Sequence, residues 1–192
     1  MKIILASASP RRAEVLSDAG IRFAALSTDI DETRSPGEPA DAMVRRLAAV
    51  KARAAAALLG GAAEPLIVIG ADTVVEIEGD VLGKPNSAAS ARVMLERLAG
   101  KSHHVLTGVA ILRLPDGAAR VEVESTKIRF APLTTAEIDE YIDTGEPLDK
   151  AGAYGIQGYG GRFVERIEGC YFNVVGLPLA RVYRILKELG AL

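Results

Sequence analysis

Apolar and polar positions are arranged along the chain in a pattern that predicts strands followed by helices. Continuous apolar runs bounded by Gly, Pro or charged residues are typical of buried strands. The predicted strands are Ile3–Ala6, a short strand near Arg22–Ser27, Leu66–Gly70 with an extended continuation over Thr73–Glu78, His104–Leu114 and Ala119–Ala131. The last two flank Pro115-Asp116-Gly117, a turn sequence that predicts a hairpin.

Helical signals separate these strands. Helices are predicted over about Pro10 to Ala19, Pro39 to Leu59, Ser87–Leu98, Thr134–Thr144 and Pro178–Leu189. Thr134 or Thr135 is placed to cap the fourth helix, with Glu137 early in its first turn. Hairpins among strand–helix units predict an α/β fold with a mixed sheet. The length allows one large domain or two closely joined lobes. Because we find no repeat, no linker and no clean domain boundary, residues 1–192 are predicted to form a single domain.

The composition is that of an ordinary globular protein: 192 residues, 49 % apolar and 25 % charged, with a net charge of −2. This charge gives no bulk attraction to nucleic acid or to an anionic membrane, and the absence of Trp disfavours a base-stacking surface. We therefore expect no nucleic-acid partner and no membrane partner. The N-terminal apolar stretch is too short for a signal peptide, and no run reaches membrane-spanning length, which predicts a cytoplasmic protein.

Cys170 is the only cysteine, which excludes an intramolecular disulfide and a zinc–cysteine cluster. His103 and His104 could partner a nucleophile, but nothing near Cys170 in the sequence marks it as activated. It is predicted to be a small buried hydrophobe.

Two arginines stand at the start of the first predicted helix. Ser9 is a natural N-cap, and Pro10 suits the first helical position because its missing N–H costs nothing there. Arg11 and Arg12 then lie at the positive end of the helix dipole, which is unfavourable unless an anion is bound. The pattern predicts a phosphate-sized anion site, and the alternative is that both arginines point into solvent.

A cation also lies on the apolar face of the helix predicted over Pro39 to Leu59. The apolar stripe of this helix consists of Met43, Val44, Leu47, Val50, Ala54 and Leu58. Lys51 follows Leu47 by four residues and therefore falls inside the stripe. Its ammonium either snorkels out at the margin or is directed into a polar cleft to meet an anion.

Further polar residues follow the strand predicted over Leu66–Gly70. Asp72 is placed at the carboxyl end of this strand, where α/β proteins usually bind ligands, although it could simply cap a turn. Lys84 stands in Gly83-Lys84-Pro85, a few residues further on. This segment is no Walker A loop, because Pro85 replaces the Ser or Thr that would hold magnesium.

An acidic loop and a Gly-rich loop complete the set. Asp29, Asp31 and Glu32 suit a hard divalent cation shared with phosphate oxygens, although a solvated acidic loop is equally common. Gln157 lies in the irregular, Gly-rich stretch Gly145–Gly161, and its amide offers a donor and an acceptor in one plane, as a base edge requires. Together, these residues predict a site for a nucleoside triphosphate with a metal ion.

Several of these segments resemble the Maf family of nucleoside triphosphate pyrophosphatases, also called septum formation proteins. The matching segments are Ser7-Ala8-Ser9-Pro10-Arg11-Arg12, Gly70-Ala71-Asp72-Thr73-Val74-Val75, Gly83-Lys84-Pro85, the stretch from Asp149 to Gly158 and the stretch from Gly169 to Leu179. The resemblance implies hydrolysis between the α and β phosphates. It also implies an elongated mixed α/β fold like that of inosine triphosphate pyrophosphatases, with two lobes around a cleft. The form Tyr-Gly-Ile-Gln-Gly is similar to the branch acting on dTTP and UTP.

The same resemblance assigns roles to individual residues. It implies that Asp72 is the proton acceptor and that Arg11, Thr73 and Gln157 set base specificity. The phosphate and metal positions it implies are Ser7, Arg12, Glu32, Lys51 and Lys84. We hypothesise that Arg12, Lys51 and Lys84 embrace the triphosphate while Mg²⁺ or Mn²⁺ bridges phosphate oxygens and Glu32. A homodimer is the default assembly.

Two alternative functions fit part of the sequence. One is a pyrophosphatase directed at purines, such as inosine triphosphate or 7-methyl-GTP, against which the segment around Gln157 argues. The other is a nucleotide-binding regulator of cell division without turnover. That reading is disfavoured because a pure binder needs no positioned base such as Asp72.

Overall fold

The structure is a computed structural model that describes residues 1–60 and 64–192. Its strands are β1 (Lys2–Ala6), β2 (Ala24–Ala25), β3 (Leu66–Ile77), β4 (Asp80–Leu82), β5 (Ser102–Leu114), β6 (Ala119–Phe130) and β7 (Val164–Glu168). Its α-helices are α1 (Pro10–Asp18), α2 (Ala40–Leu58), α3 (Ala88–Leu98), α4 (Thr135–Asp143), α5 (Tyr171–Val175) and α6 (Leu179–Glu188). Short 3₁₀ helices cover Glu146–Asp149, Ala151–Ala153 and Tyr159–Phe163.

The strands form a seven-stranded mixed sheet in the order β2-β1-β3-β5-β6-β7, with β4 paired to β3. β1 pairs in parallel with β2 and β3, whereas the pairs β3–β4 and β6–β7 are antiparallel. The predicted mixed α/β class is therefore confirmed. In the part of the chain that the structure describes, no helix is long and apolar enough to cross a membrane.

The chain folds into two compact units whose boundaries fall within β3, β5 and β6 and directly after α5. The first unit consists of Met1–Asp72, Thr107–Glu124 and Gly176–Leu192, and the second of Thr73–Leu106 and Ser125–Val175. A single domain over residues 1–192 stays a prediction.

The first unit depends on a close approach between α2 and the sheet. A Cβ placed on Gly70 of β3 would lie 2.7 Å from the Ala52 nitrogen and nearer still to the Ala48 carbonyl oxygen. A Cβ on Gly108 of β5 would likewise collide with the backbone of α2 at Val44. Glycine on the strands, which has no Cβ, allows the two backbones to come this close.

This contact changes the buried face of α2 from the one that the sequence predicts. Met43, Val44 and Leu47 are buried as predicted, but Val50 is half-buried and Leu58 is exposed. The buried face continues instead through small residues, among them Ala48, Ala52 and Ala55. The predicted stripe is defined mainly by large apolar side chains, whereas the close contact between α2 and the sheet requires small side chains on the helix.

The second unit has an aromatic core. His103, Phe130 and Tyr154 meet edge to face, with ring centroids 4.6 to 5.4 Å apart, and His103 Nε2 lies 2.8 Å from the Tyr154 hydroxyl. Burial lowers the pKa of His103 to about 4, so the imidazole is neutral at pH 7. In α4, Thr134 and Glu137 form the predicted capping box.

Some elements differ from the predictions. β3 runs without a break to Ile77, so Asp72 lies inside a strand and not at its carboxyl end. The predicted strand near Arg22–Ser27 is reduced to β2. The short elements β4, β7 and α5 carry too few residues for a recognisable period. Cys170, predicted to be buried, is half-buried.

The close approach of α2 to β3 predicts a large cost for one added methyl group. We expect Gly70→Ala to lower the free energy of unfolding by about 1–3 kcal/mol, because the helix backbone must shift to admit the Cβ. The matched control is Gly83→Ala, whose Cβ would meet nothing within 4 Å. Urea unfolding measures both, and equal stability of the Gly70→Ala variant and the wild type would contradict this packing.

Candidate active site

A buried ammonium joins two carboxylates in the first unit. Lys51 Nζ on α2 lies 2.6 Å from Asp72 Oδ1 and 2.7 Å from Glu32 Oε1. Lys51 is 8 % exposed and Asp72 is 6 % exposed, whereas the Glu32 side chain is 57 % exposed. Of the two alternatives for Lys51, the structure therefore shows the inward one: the ammonium meets anionic groups.

The local backbone explains how Lys51 and Asp72 meet. Side chains two residues apart on a strand share a face, so Asp72 lies on the same face of β3 as Gly70. That face is the one against which α2 packs at Ala48 and Ala52. Lys51 precedes Ala52 in the helix, so it lies next to this close contact, and its ammonium reaches Asp72.

The loop that carries Glu32 is held in place from α2. Arg46 binds the Glu38 carboxylate through Nε and Nη2, each at 2.7 Å, and Nη2 also donates to the Thr33 carbonyl at 3.1 Å. The Arg46 side chain lowers the pKa of Glu38 to about 2. These contacts fix Thr33, which follows Glu32 directly. Asp31, the neighbour on the other side, accepts a hydrogen bond from the Thr33 N–H at 2.8 Å.

Arg12 is directed inward at the start of α1. Its Nη1 donates to Ser7 Oγ at 3.1 Å, and its Nε donates to the Gly176 carbonyl at 2.9 Å. Ser9 occupies the N-cap position with Pro10 following it, as predicted, but the Ser9 side chain makes no cap hydrogen bond. Ser7 Oγ instead accepts from the Ser9 N–H at 3.2 Å.

Burial and charge act in opposite directions on this cluster. Burial raises the pKa of Asp72, while Lys51 and Arg12 oppose that shift. Burial lowers the pKa of Arg12, while Asp72 and Glu32 oppose it. Asp72 is therefore a carboxylate made more basic by its surroundings and accompanied by cations that favour its ionised form.

The structure brings together five of the predicted site residues in what we call the Lys51 cluster, which consists of Ser7, Arg12, Glu32, Lys51 and Asp72. Arg11 is half-buried beside Arg12, and its charge contributes to lowering the pKa of Arg12. Thr73 is half-buried and follows Asp72 directly.

Three predicted site residues belong to the second unit: Thr73, Lys84 and Gln157. Lys84 is exposed just after β4, and the neighbouring Gly83 carbonyl accepts a hydrogen bond from the Gly152 N–H at 3.0 Å. This bond ties the Lys84 segment to the Gly-rich stretch. Gln157 is exposed within that stretch.

The donor set of the Lys51 cluster fits a divalent cation shared with a ligand. Glu32 and Asp72 offer carboxylate oxygens, which are the hard donors that Mg²⁺ and Mn²⁺ prefer. Within residues 1–60 and 64–192, no group of three or more His, Cys, Asp and Glu side chains could hold a metal ion. Mg²⁺ is often bound by one or two carboxylates with substrate phosphates, and the exposed Glu32 carboxylate matches that mode.

Some contacts of the cluster have no signal in the sequence. The Gly176 carbonyl is 164 positions from Arg12, and a backbone acceptor carries no residue-type signature. Arg46 lies outside the apolar stripe of α2 and is typical of a solvated charge, yet it holds the Glu32 loop. A Glu eight residues before an Arg, across a helix start, could have suggested the pair with Glu38.

Comparison with known proteins shows similarity over nearly the whole chain. The family model for Maf-like proteins matches residues 2–189. The dTTP/UTP pyrophosphatase of Anaeromyxobacter sp. (strain Fw109-5) is 50 % identical over 98 % of this chain and 90 % of that protein. The dTTP/UTP pyrophosphatase of Moorella thermoacetica is 51 % identical over 98 % of this chain and 95 % of that protein. The solved structure of the Staphylococcus aureus Ham1 protein is 16 % identical over 85 % of this chain and 80 % of that one, with a TM-score of 0.49.

The contact between Lys51 and Asp72 predicts that the charge of Lys51 holds down the pKa of Asp72. We expect Lys51→Met to raise the pKa of Asp72 further, because burial then acts without its nearest opposing cation. Carbon-detected NMR titration of the Asp72 carboxyl group measures the change. Arg53→Met, which removes an exposed cation from the same helix, is the control and leaves this pKa in place. An unchanged Asp72 pKa in Lys51→Met would contradict the coupling.

Proposed function

The chain belongs to the family of Maf-like proteins, and from this premise we propose that it is a nucleoside triphosphate pyrophosphatase. Its substrates are dTTP and UTP, and its products are the monophosphate and pyrophosphate. The observation that carries the proposal is the buried ammonium of Lys51 between Asp72 and Glu32, with Arg12 close enough to act on both carboxylates. Relatives about half identical over nearly the full chain bear the name of this activity.

The charges suit hydrolysis between the α and β phosphates. When water attacks the α-phosphorus, negative charge grows on the bridging oxygen and on the departing pyrophosphate. Cations fixed in advance stabilise this charge most strongly in the transition state. We assign Arg12, Lys51 and Lys84 to the triphosphate, with Ser7 fixing the Arg12 guanidinium through its hydroxyl.

Asp72 is assigned as the general base. Its carboxylate accepts the proton of the attacking water, a contribution typically of about 10²–10⁴-fold in rate. Burial makes it a stronger base, and the nearby cations keep it in the ionised form that can accept a proton. Burial without the nearby cations would leave the carboxyl group already protonated, and it could then accept no proton from water.

A divalent cation, Mg²⁺ or Mn²⁺, completes the proposed site, and Glu32 would hold it. When bound, such an ion supplies neutralisation of the phosphate charge. Glu32 is suited to this role because its side chain is more than half exposed while one oxygen is fixed by Lys51. The carboxylate therefore remains accessible from solvent.

Base recognition is assigned to Gln157, together with Arg11 and Thr73. Uracil and thymine present an acceptor, a donor and an acceptor along one edge, and a side-chain amide can match two of these. A site built on such hydrogen bonds rejects other bases because its own polar groups would remain unpaired. The 5-methyl group of thymine needs only an apolar neighbour, so both dTTP and UTP are accepted.

The substrate also suggests where the protein acts and in what form. Free nucleoside triphosphates are a cytoplasmic pool, and we assign the protein to the cytoplasm. The net charge of −2 supports a small-molecule substrate without a nucleic-acid partner. A homodimer stays a prediction.

Pyrophosphate release from a panel of canonical and modified nucleoside triphosphates, with Mg²⁺ or Mn²⁺ and with EDTA, tests the proposal. Metal-dependent release concentrated on dTTP and UTP is the expected result. Release centred on inosine triphosphate, 7-methyl-GTP or other purines would keep the reaction and overturn the base assignment. Binding of nucleotide without release would favour a regulator that acts without turnover.

The role of Asp72 predicts a loss of turnover without a loss of binding. We expect Asp72→Asn to lower kcat for UTP by about 10²–10⁴-fold, because the amide cannot accept the proton. KM for UTP should stay near the wild-type value. Asp18→Asn, which changes an exposed carboxylate at the end of α1, serves as the control and keeps full activity. A kcat for Asp72→Asn within threefold of the control would remove Asp72 from this role.

The role of Gln157 predicts a loss of discrimination between bases. We expect Gln157→Ala to reduce the ratio of kcat/KM for UTP to that for GTP by about tenfold or more. The reason is that the hydrogen bonds between the side-chain amide and the pyrimidine edge are lost. Because the side chain is exposed, the free energy of unfolding should not change. Steady-state kinetics with both nucleotides measures the ratio, and an unchanged ratio would contradict the assignment.

A further inference from the structure

Glu146 lies at the centre of a set of hydrogen bonds around the segment that contains Gln157. Its Oε2 accepts from the Tyr159 N–H at 2.9 Å, and its Oε1 accepts from the Gly160 N–H at 3.2 Å. Oε1 also accepts from the Tyr141 hydroxyl at 2.8 Å. One half-buried carboxylate therefore binds two consecutive backbone amides and a buried phenol.

Tyr141 extends the same contacts to the other side of Gln157. Its hydroxyl accepts a hydrogen bond from the Gly155 N–H at 3.2 Å, while it donates to Glu146. The ring is fully buried and packs edge to face on Phe163, with centroids 5.1 Å apart. The segment Gly155–Gly160 is thus attached on both sides of Gln157 to one rigid aromatic side chain and its carboxylate partner.

The glycines of this segment allow it to lie very close to these side chains. A Cβ on Gly158 would collide with the Glu146 carboxylate, and a Cβ on Gly160 would lie 2.6 Å from the Tyr141 hydroxyl. The segment therefore rests directly on Glu146 and Tyr141, with no room for an intervening side chain. Lys150 secures the other end of Glu146, since its Nζ donates to the Glu146 carbonyl at 2.7 Å.

The charge state of Glu146 suits this role. Although burial raises its pKa, the hydrogen bonds from Tyr141 and from the Tyr159 and Gly160 amides lower the pKa overall. The carboxylate is therefore ionised at pH 7 and accepts charge-assisted hydrogen bonds, which are roughly twice as strong as those between neutral groups. No local sequence pattern marks Glu146, because its partners lie 13 and 14 residues downstream.

We propose that Glu146, with Tyr141 as its partner, is a positioning residue for base specificity that holds Gly155–Gly160 so that the Gln157 amide meets the pyrimidine edge. This inference rests on the proposed function, because it assigns Glu146 to the same base-recognition step. Glu146 itself need not touch the nucleotide. Its contribution is to fix in advance the backbone that carries Gln157, which lowers the cost of ordering it when the base binds.

The test is Glu146→Gln, which keeps the size of the side chain but converts one of its acceptor oxygens into a donor. One of the backbone amides or the phenol then loses its acceptor. We expect hydrogen exchange at Tyr159 and Gly160 to accelerate about tenfold or more in the free protein, and KM for UTP to rise about tenfold. The UTP-to-GTP ratio of kcat/KM should fall to a similar extent, with kcat at saturating UTP within about threefold of wild type.

Two further variants make the test specific. Tyr141→Phe removes the hydroxyl while keeping the buried ring, and should shift exchange and selectivity in the same direction. Glu96→Gln neutralises an exposed carboxylate on α3 in the same unit and should behave as the wild type in every measurement. A purely structural role for Glu146 would instead lower stability and kcat together and leave the base selectivity intact.

The outcomes separate this inference from the proposed function. A wild-type protein that releases no pyrophosphate from any nucleotide would refute the proposed function. An active wild type with unchanged exchange, or with unchanged selectivity in Glu146→Gln, would refute the positioning role alone. Faster exchange together with lost selectivity and preserved kcat is the result that supports it.

Discussion

The contact of Lys51 with Asp72 is the interaction on which the rest of the site depends. A charge removed from water is costly unless it is paired and hydrogen-bonded, and Lys51 and Asp72 are both almost fully buried. Their pairing at 2.6 Å is possible only because α2 lies against β3 with glycine at position 70. The packing of an alanine-rich helix on a glycine thus determines where the proposed general base lies and which cation accompanies it.

The charge balance of the Lys51 cluster gives an independent reason to expect a metal ion with the substrate. The two positive charges of Arg12 and Lys51 are matched by the two negative charges of Asp72 and Glu32. A triphosphate would add several negative charges to a cluster that is already neutral, and the divalent cation proposed above would offset part of them. Glu146, in the second unit, takes no part in this charge balance, because its carboxylate accepts hydrogen bonds from backbone amides.

Local signals predicted much of the fold. The mixed α/β class, the helix starts and the Thr134 cap follow from periodicity and capping residues, which act over a few neighbouring positions. The sequence placed Asp72 at a strand end, but the β-branched residues that follow it extend β3 to Ile77. Lys51 stood out as a cation on an apolar face, whereas Gly176 and Glu146 could not be found, because their contacts depend on chain segments brought together by the fold.

Hydrolysis of UTP in water enriched in ¹⁸O tests the central claim most directly. Mass spectrometry of the products shows which phosphorus the water attacked. A single ¹⁸O atom in UMP, with none in pyrophosphate, is the predicted result, because Asp72 is assigned to the water that attacks the α-phosphorus. Label in pyrophosphate, or release of inorganic phosphate in its place, would contradict this account.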